Sequence, residues 1–313
     1  MAEVRVVLLA GGVGGAKVAE GLQQLLGEAL TVVGNVGDDF ELWGLTICPD
    51  LDTLMYTLAG VANPETGWGV AGDTFAALGM LARYGEEVWF RLGDQDLATH
   101  VLRTALLRRG WRLTEVTAHL AGQLGARARL LPVTDAPVRT RVITDGGELA
   151  FQEYFVRRKC RPAVRGFRFA GAAEARPTPE VSDALMSADA VVIAPSNPFV
   201  SVEPMLAVGD MRARLHALSA PVIAVTPIVG GEAIKGPTAK MFRELGEKPS
   251  ALAVARRYAD IIDAFVLDTR DAHLVPAVEA LGLRAVTTDT LMFDPEGRRR
   301  VALVTLEAAE VVP

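Results

Sequence analysis

Three short segments of this chain carry residue types that can meet an anionic substrate. The first, Gly11-Gly12-Val13-Gly14-Gly15-Ala16-Lys17, follows an apolar run at 4–10 and leads into an amphipathic stretch at 16–26. Glycines between a buried strand and a helix permit positive φ and let backbone N–H groups approach phosphate oxygens at the positive helix end. The same glycines could serve a tight turn alone, and their spacing narrows the choice. Six positions from Gly12 or Gly14 fall on Lys17 or Ala19, which breaks the dinucleotide fingerprint. Gly14-Gly15-Ala16-Lys17 also lacks the first-glycine spacing and the hydroxyl residue after lysine that a P-loop needs. Neither a resident nicotinamide dinucleotide nor ATP hydrolysis is favoured.

The second segment is acidic. Asn35-Val36-Gly37-Asp38-Asp39 ends the next apolar run, and Pro49-Asp50-Leu51-Asp52-Thr53 opens what reads as a helix. Carboxylates at the C-terminal edge of a parallel sheet lie where such folds bind ligands, and two or three can hold a hard cation, naturally magnesium, against substrate phosphates. The competing roles are a helix N-cap for Asp52 and an exposed turn for Asp38 and Asp39. Further on, Arg91-Leu92-Gly93-Asp94-Gln95-Asp96-Leu97-Ala98-Thr99-His100 gathers two acids and a helical histidine that reads as a general base or as a structural residue. The third segment, Ala194-Pro195-Ser196-Asn197-Pro198, offers a second phosphate cradle or a plain Asn-Pro turn, and Thr226–Gly231 repeats the arrangement. Lys235 and Lys240 can meet an anion or stay solvated. Trp43 and Trp68 can pack or stack on an aromatic substrate.

The elements that must position these segments follow from hydrophobic periodicity. A strand at 4–10, a helix at 16–26 and a strand at 30–35 form a βαβ unit with a right-handed crossover. The expected class is α/β, a Rossmann-like doubly wound, mostly parallel sheet. Helices are expected at 53–59, 74–84, 97–109 and 113–124, with a strand at 88–92. The alternating runs at 127–133, 138–144 and 148–155 suggest a β-meander beside the main sheet. The α/β rhythm returns with strands at 190–194, 222–225 and 264–267. The spacing predicts one domain over 1–313, with a helical and β insertion at about 60–185.

Composition excludes several classes. The 313 residues are 50% hydrophobic and 22% charged with a net charge of −6, so no overall field attracts nucleic acid or an anionic membrane. The run Arg298-Arg299-Arg300 reads as a turn tip. Cys48 and Cys160 stand far apart without zinc or disulfide spacing, which fits a reducing cytoplasm. The apolar opening is far shorter than the roughly 20 residues of a membrane span. A homodimer is the expected state.

Together with 92–104, 131–135, 151–157 and 230–240, these segments make the chain resemble the 2-phospho-L-lactate transferase (CofD-like) family over nearly its whole length. The ordered series P-D-L-D-T, L-G-D-x-D-x-A-T-H and P-S-N-P is far more specific than the glycine loop. The resemblance implies transfer of a phospholactyl or related phospho-acid group from a guanosine diphosphate ester to the ribityl hydroxyl of the deazaflavin Fo. GMP leaves, and magnesium neutralises the developing charge. It further implies that Asp52 and Arg91 contact Fo, that Asp39 and Asp50 hold the metal, and that Asp50 or Asp52 takes the catalytic role. Gly12, Gly14, Gly15, Ser196 and Asn197 would hold the guanosine diphosphate donor. Whether that donor carries phospholactate, phosphoenolpyruvate or phosphoglycerate is left open. The alternative is a non-catalytic nucleotide-sugar-binding regulator of the gluconeogenesis-factor type, disfavoured by the acidic segment and Arg91.

Overall fold

The computed structural model describes residues 4–311. Its centre is a sheet of seven parallel strands: β1 (Val6–Ala10), β2 (Leu30–Gly34), β3 (Arg129–Pro132), β4 (Ala190–Ile193), β5 (Val222–Val225), β6 (Ala264–Asp268) and β7 (Arg284–Thr288), in the spatial order β7-β6-β5-β4-β1-β2-β3. Strands covered on both faces are apolar at successive positions. Every residue of β1, β4, β5 and β6 is buried. Their side chains alternate between two cores. Val7, Leu9, Val191 and Ile193 enter one, and Val6, Leu8, Ala10, Val192 and Val225 the other. The strand order reverses between β1 and β4, the switch point at which doubly wound sheets open a crevice.

Helix α1 (Gly12–Leu26) begins inside the glycine segment, earlier than the sequence suggests, with Gly11 as its N-cap. It packs on the C-terminal helix Pro295–Ala308, where a Cβ at Gly21 would stand 2.3 Å from the Arg298 carbonyl oxygen. The arginine run therefore lies in a helix and not at a turn tip. Asp294 caps that helix by accepting from Gly297 N (2.7 Å), and Pro295 supplies its first turn. Arg298 pairs with Glu20 and Arg300 with Asp289.

Two further expectations are corrected. No strand forms at 88–92. Trp89 and Phe90 instead cluster with Phe40, with ring centroids 6.0 and 4.8 Å away. The run at 127–133 supplies β3, the outer strand of the main sheet, so 60–185 is not one uninterrupted insertion. The antiparallel sheet consists of Gly147–Ala150, Arg139–Thr144 and Val164–Ala170, and residues 153–157 turn helical. Among the described residues, no helix is long and apolar enough to cross a membrane.

The helix contact makes a testable distinction between glycines. Gly21→Ala must push α1 off the C-terminal helix and cost about 1–3 kcal/mol in urea unfolding. Gly122→Ala, in the helix Leu113–Gln123 with open space around its Cβ, is neutral or stabilising by up to about 1 kcal/mol.

Candidate active site

A cavity of about 890 Å3 opens over the C-terminal ends of β1, β2, β4 and β5, at the reversal of strand order. One wall is built from the glycine segment and Pro195-Ser196-Asn197. Ser196 Oγ accepts from Gly11 N (3.2 Å) and donates to Gly11 O (2.8 Å), tying the ends of β1 and β4 together. Side chains on the glycines would break this closure. A Cβ at Gly14 would lie 2.5 Å from Pro195 O, and one at Gly15 would lie 2.8 Å from Ser196 Oγ. Gly12, at φ 63°, donates its N–H to Asp50 Oδ1 (2.7 Å). Gly12, Gly14, Ser196 and Asn197 line the cavity. Gly15 packs behind it against Ala10 and Ser196, so of the five expected donor contacts this one is displaced. Lys17, one helical turn further on, also lines the cavity. Burial, then Arg298 and Lys235, hold its ammonium below the usual lysine range. It is a cation at the cavity that the glycine spacing alone did not single out.

The floor is acidic. Helix α2 (Pro49–Leu58) carries Asp50 and Asp52 in its first turn, where the helix dipole favours negative charge. Asn35 Nδ2 donates to Asp50 Oδ2 (2.9 Å) and reaches Asp38 Oδ1 (3.4 Å), and Gln152 Nε2 donates to Asp38 Oδ2 (3.2 Å). Burial pushes Asp50 up to about 6 against the pull of Asn35 and Gly12 N–H. Burial and the neighbouring Asp50 and Asp39 push Asp38 well above the carboxylate range. Two crowded, partly hydrogen-bonded carboxylates facing one cavity suit a hard divalent cation. Asp38 and Asp50 both line the cavity, whereas Asp39, expected beside Asp50, does not. Asp39 is outside the lining and faces the Cys48 thiol, Arg139 and Arg103, and burial raises it to about 8.

Asp52 points to a different neighbour. Helix α3 (Ala76–Arg83) and helix α4 (Asp94–Arg108) exchange caps: Asp73 accepts from Gln95 N and Asp96 N at 2.9 and 3.0 Å, and Asp94 accepts from Ala76 N and Ala77 N at 3.0 and 2.9 Å. Gly93 has no room for a side chain, since its Cβ would stand 2.1 Å from Asp73 Oδ2. The L-G-D-x-D motif is thus the joint that sets α4 against the cavity. From α4, Arg103 grips both oxygens of Asp52, with Nη1 donating to Oδ2 at 3.0 Å, and the same Nη1 donates to His100 Nδ1 (3.1 Å). His100 Nε2 lies 3.2 Å from Asp96 Oδ1, and the Tyr56 hydroxyl donates to that oxygen at 2.8 Å. Burial disfavours charge on Arg103, yet Asp52 outweighs it and holds the guanidinium firmly protonated. Ligand atoms of Asp52, Asp96 and His100 lie within 4.8 Å of one another, but the guanidinium already occupies the cation position beside Asp52 and His100. Sequence reasoning missed Arg103, because an arginine among leucines on an amphipathic helix reads as surface.

Aromatic residues also line the cavity: Trp89, Phe90, Phe151 and Phe155, the last two stacked at 5.4 Å, and Trp68, whose neighbour Gly67 lies against Val13 of the glycine segment. Trp43 is not among them. Arg91 stands at the mouth with its guanidinium 4.4 Å from the centroid of the Phe75 ring. Asp52 and Arg91, expected to share a ligand, both line the cavity, Asp52 through a carboxylate already paired.

Asp39 gives a pH prediction with a definite sign. A carboxyl raised to about 8 when folded stays protonated while the unfolded chain ionises, so its contribution to stability falls as pH rises from about 4 to about 8. Asp39→Asn accordingly raises the melting temperature of the ligand-free protein more at pH 8.5 than at pH 5. Equal shifts at the two values would contradict the buried-acid assignment.

Comparison with known proteins agrees with this geometry. The family model for 2-phospho-L-lactate transferase CofD matches residues 6–305. Proteins named phosphoenolpyruvate transferase from Streptomyces griseus and Kitasatospora aureofaciens are each 42% identical, with 99% of this chain and 99% of each relative covered. The same name is carried by a relative from Mycobacterium avium, 38% identical over 342 residues, covering 99% of this chain and 100% of the relative. A crystal structure of a member of the upf0052 family from Bacillus halodurans shares the fold at a TM-score of 0.60 and 13% identity, covering 92% of this chain and 93% of that one. The chain belongs to the 2-phospho-L-lactate transferase CofD family.

Proposed function

We propose that this protein transfers a phosphoenolpyruvyl or phospholactyl group from a guanosine diphosphate ester to the ribityl hydroxyl of the deazaflavin Fo, releasing GMP, in the biosynthesis of coenzyme F-420. The observation that carries this reading is a single cavity lined by a phosphate-friendly wall, by aromatic residues and by paired acids. Gly12, Gly14, Ser196, Asn197 and Lys17 suit the guanosine diphosphate side. The aromatic residues and Arg91 suit a planar deazaflavin. The names of the bacterial relatives favour phosphoenolpyruvate as the acid.

Asp38 and Asp50 would hold magnesium, whose charge, when bound, offsets that developing on the transferred phosphoryl group. The protein's own contribution is positional. Gly12 N–H and Asn35 fix Asp50, and Arg103 fixes Asp52 as a hydrogen-bonded post beside the acceptor. The terminal hydroxyl oxygen of Fo bonds to the phosphorus bearing the acid as the bond from that phosphorus to the GMP phosphate oxygen breaks. Solvent exclusion by the cavity lining favours this acceptor over water. A cytoplasmic homodimer is part of the same proposal, and light scattering checks the dimer.

Incubating the protein with Fo, magnesium and each of the phosphoenolpyruvyl, phospholactyl and phosphoglyceryl esters should release GMP and yield a new deazaflavin product, fastest with phosphoenolpyruvate. The absence of product with every donor would refute the reading. Asp50→Asn is expected to lower kcat/KM at least about tenfold, or roughly 1.4 kcal/mol of transition-state stabilisation. Magnesium affinity should weaken as pH falls through about 6, where Asp50 takes up a proton.

A further inference from the structure

We infer that Asp96 is the general base of the transfer, a role that rests on the reading above and that neither Asp50 nor Asp52 is free to fill. Asp50 accepts at both oxygens, from Gly12 N and Asn35 Nδ2. Asp52 is held at both oxygens by Arg103, which leaves neither oxygen free for a substrate hydroxyl. Asp96 lies at the same cavity with a different arrangement. Its Oδ1 accepts from the Tyr56 hydroxyl and lies 3.2 Å from His100 Nε2, which forms no hydrogen bond of good geometry to it, while none of the described residues donates to Oδ2. The carboxylate is thus anchored through one oxygen, its other oxygen has no donor among the described residues, and the residue lines the cavity.

The anchor is itself oriented. Arg103 has no acceptor capacity, so its Nη1–H to His100 Nδ1 forces the imidazole proton onto Nε2, the nitrogen that faces Asp96. His100 is fully buried and Asp96 nearly so, and Asp73 fixes the Asp96 backbone through its N–H. Tyr56, His100 and Arg103 are therefore positioning residues, and Asp96 Oδ2 is the group that touches the acceptor. In the step, the Fo hydroxyl loses its proton to Asp96 Oδ2 as its oxygen bonds to phosphorus. The bond from that phosphorus to the GMP oxygen breaks, and GMP takes the electron pair.

Asp96→Asn keeps an oxygen acceptor for Tyr56 but removes the base. The expected result is a kcat lowered at least about 100-fold, with KM for Fo and for the ester changed by less than about threefold, and Fo binding followed by deazaflavin fluorescence unaltered. An Fo analogue with fluorine on the penultimate ribityl carbon, next to the carbon bearing the terminal hydroxyl, has a more acidic nucleophile and needs less base assistance. With it, the deficit of Asp96→Asn should shrink at least about tenfold, which a merely structural role would not produce. Should Asp96→Asn fail to fold, Asp96→Glu, which shifts the carboxylate by one methylene, must lower kcat at least about tenfold at unchanged Fo affinity. Wild-type kcat in the variant overturns the assignment, as does an equal deficit with both acceptors. Product formation by the wild-type protein separates these outcomes from failure of the transferase reading, because no product from wild type overturns that reading and this assignment together.

Discussion

The site depends on how the chain accommodates five buried aspartates, Asp38, Asp39, Asp50, Asp52 and Asp96, around one cavity edge. Uncompensated carboxylates in such a place would ionise at great cost. One buried arginine, Arg103, divides the cluster. It neutralises Asp52 completely, fixes the His100 tautomer and leaves Asp38 and Asp50 as a pair without a protein cation in contact. That division sorts a crowd of acids into three environments: one paired with Arg103, two hydrogen-bonded through Asn35, and one held at a single oxygen by Tyr56. Two carboxylates of the same chemical type acquire different tasks because their partners differ.

The glycines serve the same end by geometry. Gly14 and Gly15 let the first helix approach the loop after β4 closely enough for Ser196 to stitch the two strand ends, and Gly12 sends its N–H to Asp50 and not outward. The glycine wall therefore positions the acidic floor as well as facing a phosphate. Gly93 does the comparable work at α4, admitting the Asp73 carboxylate that caps the helix carrying Asp96, His100 and Arg103. Close backbone approach is the shared device in both halves of the cavity.

The buried polar groups at this cavity sit on α2 and α4, elements anchored by buried side chains, and its aromatic residues come from loops and the short segment at 151–155. Rigid helices hold the buried charges while loops contribute the apolar surface of the cavity.

The sequence by itself determined the layered architecture, because strands covered on both faces must be apolar at successive positions and the runs at 4–10, 30–35, 190–194, 222–225 and 264–267 leave little choice. It also determined the family, because P-D-L-D-T, L-G-D-x-D-x-A-T-H and P-S-N-P occur in order, and it located the acids and P-S-N at strand ends. The Asp294-Pro295 cap is legible in the sequence too, and it marks a helix start that carries Arg298 into the helix. Only the tertiary structure decided that Asp38 and not Asp39 stands beside Asp50, since two adjacent residues after a strand point apart and the pattern does not say which faces inward. It alone recruited 129–132 to the main sheet, because β pairing is non-local, and it alone buried Arg103. A charged residue becomes a core residue only when partners distant in sequence, here Asp52 and His100, supply the hydrogen bonds that replace water.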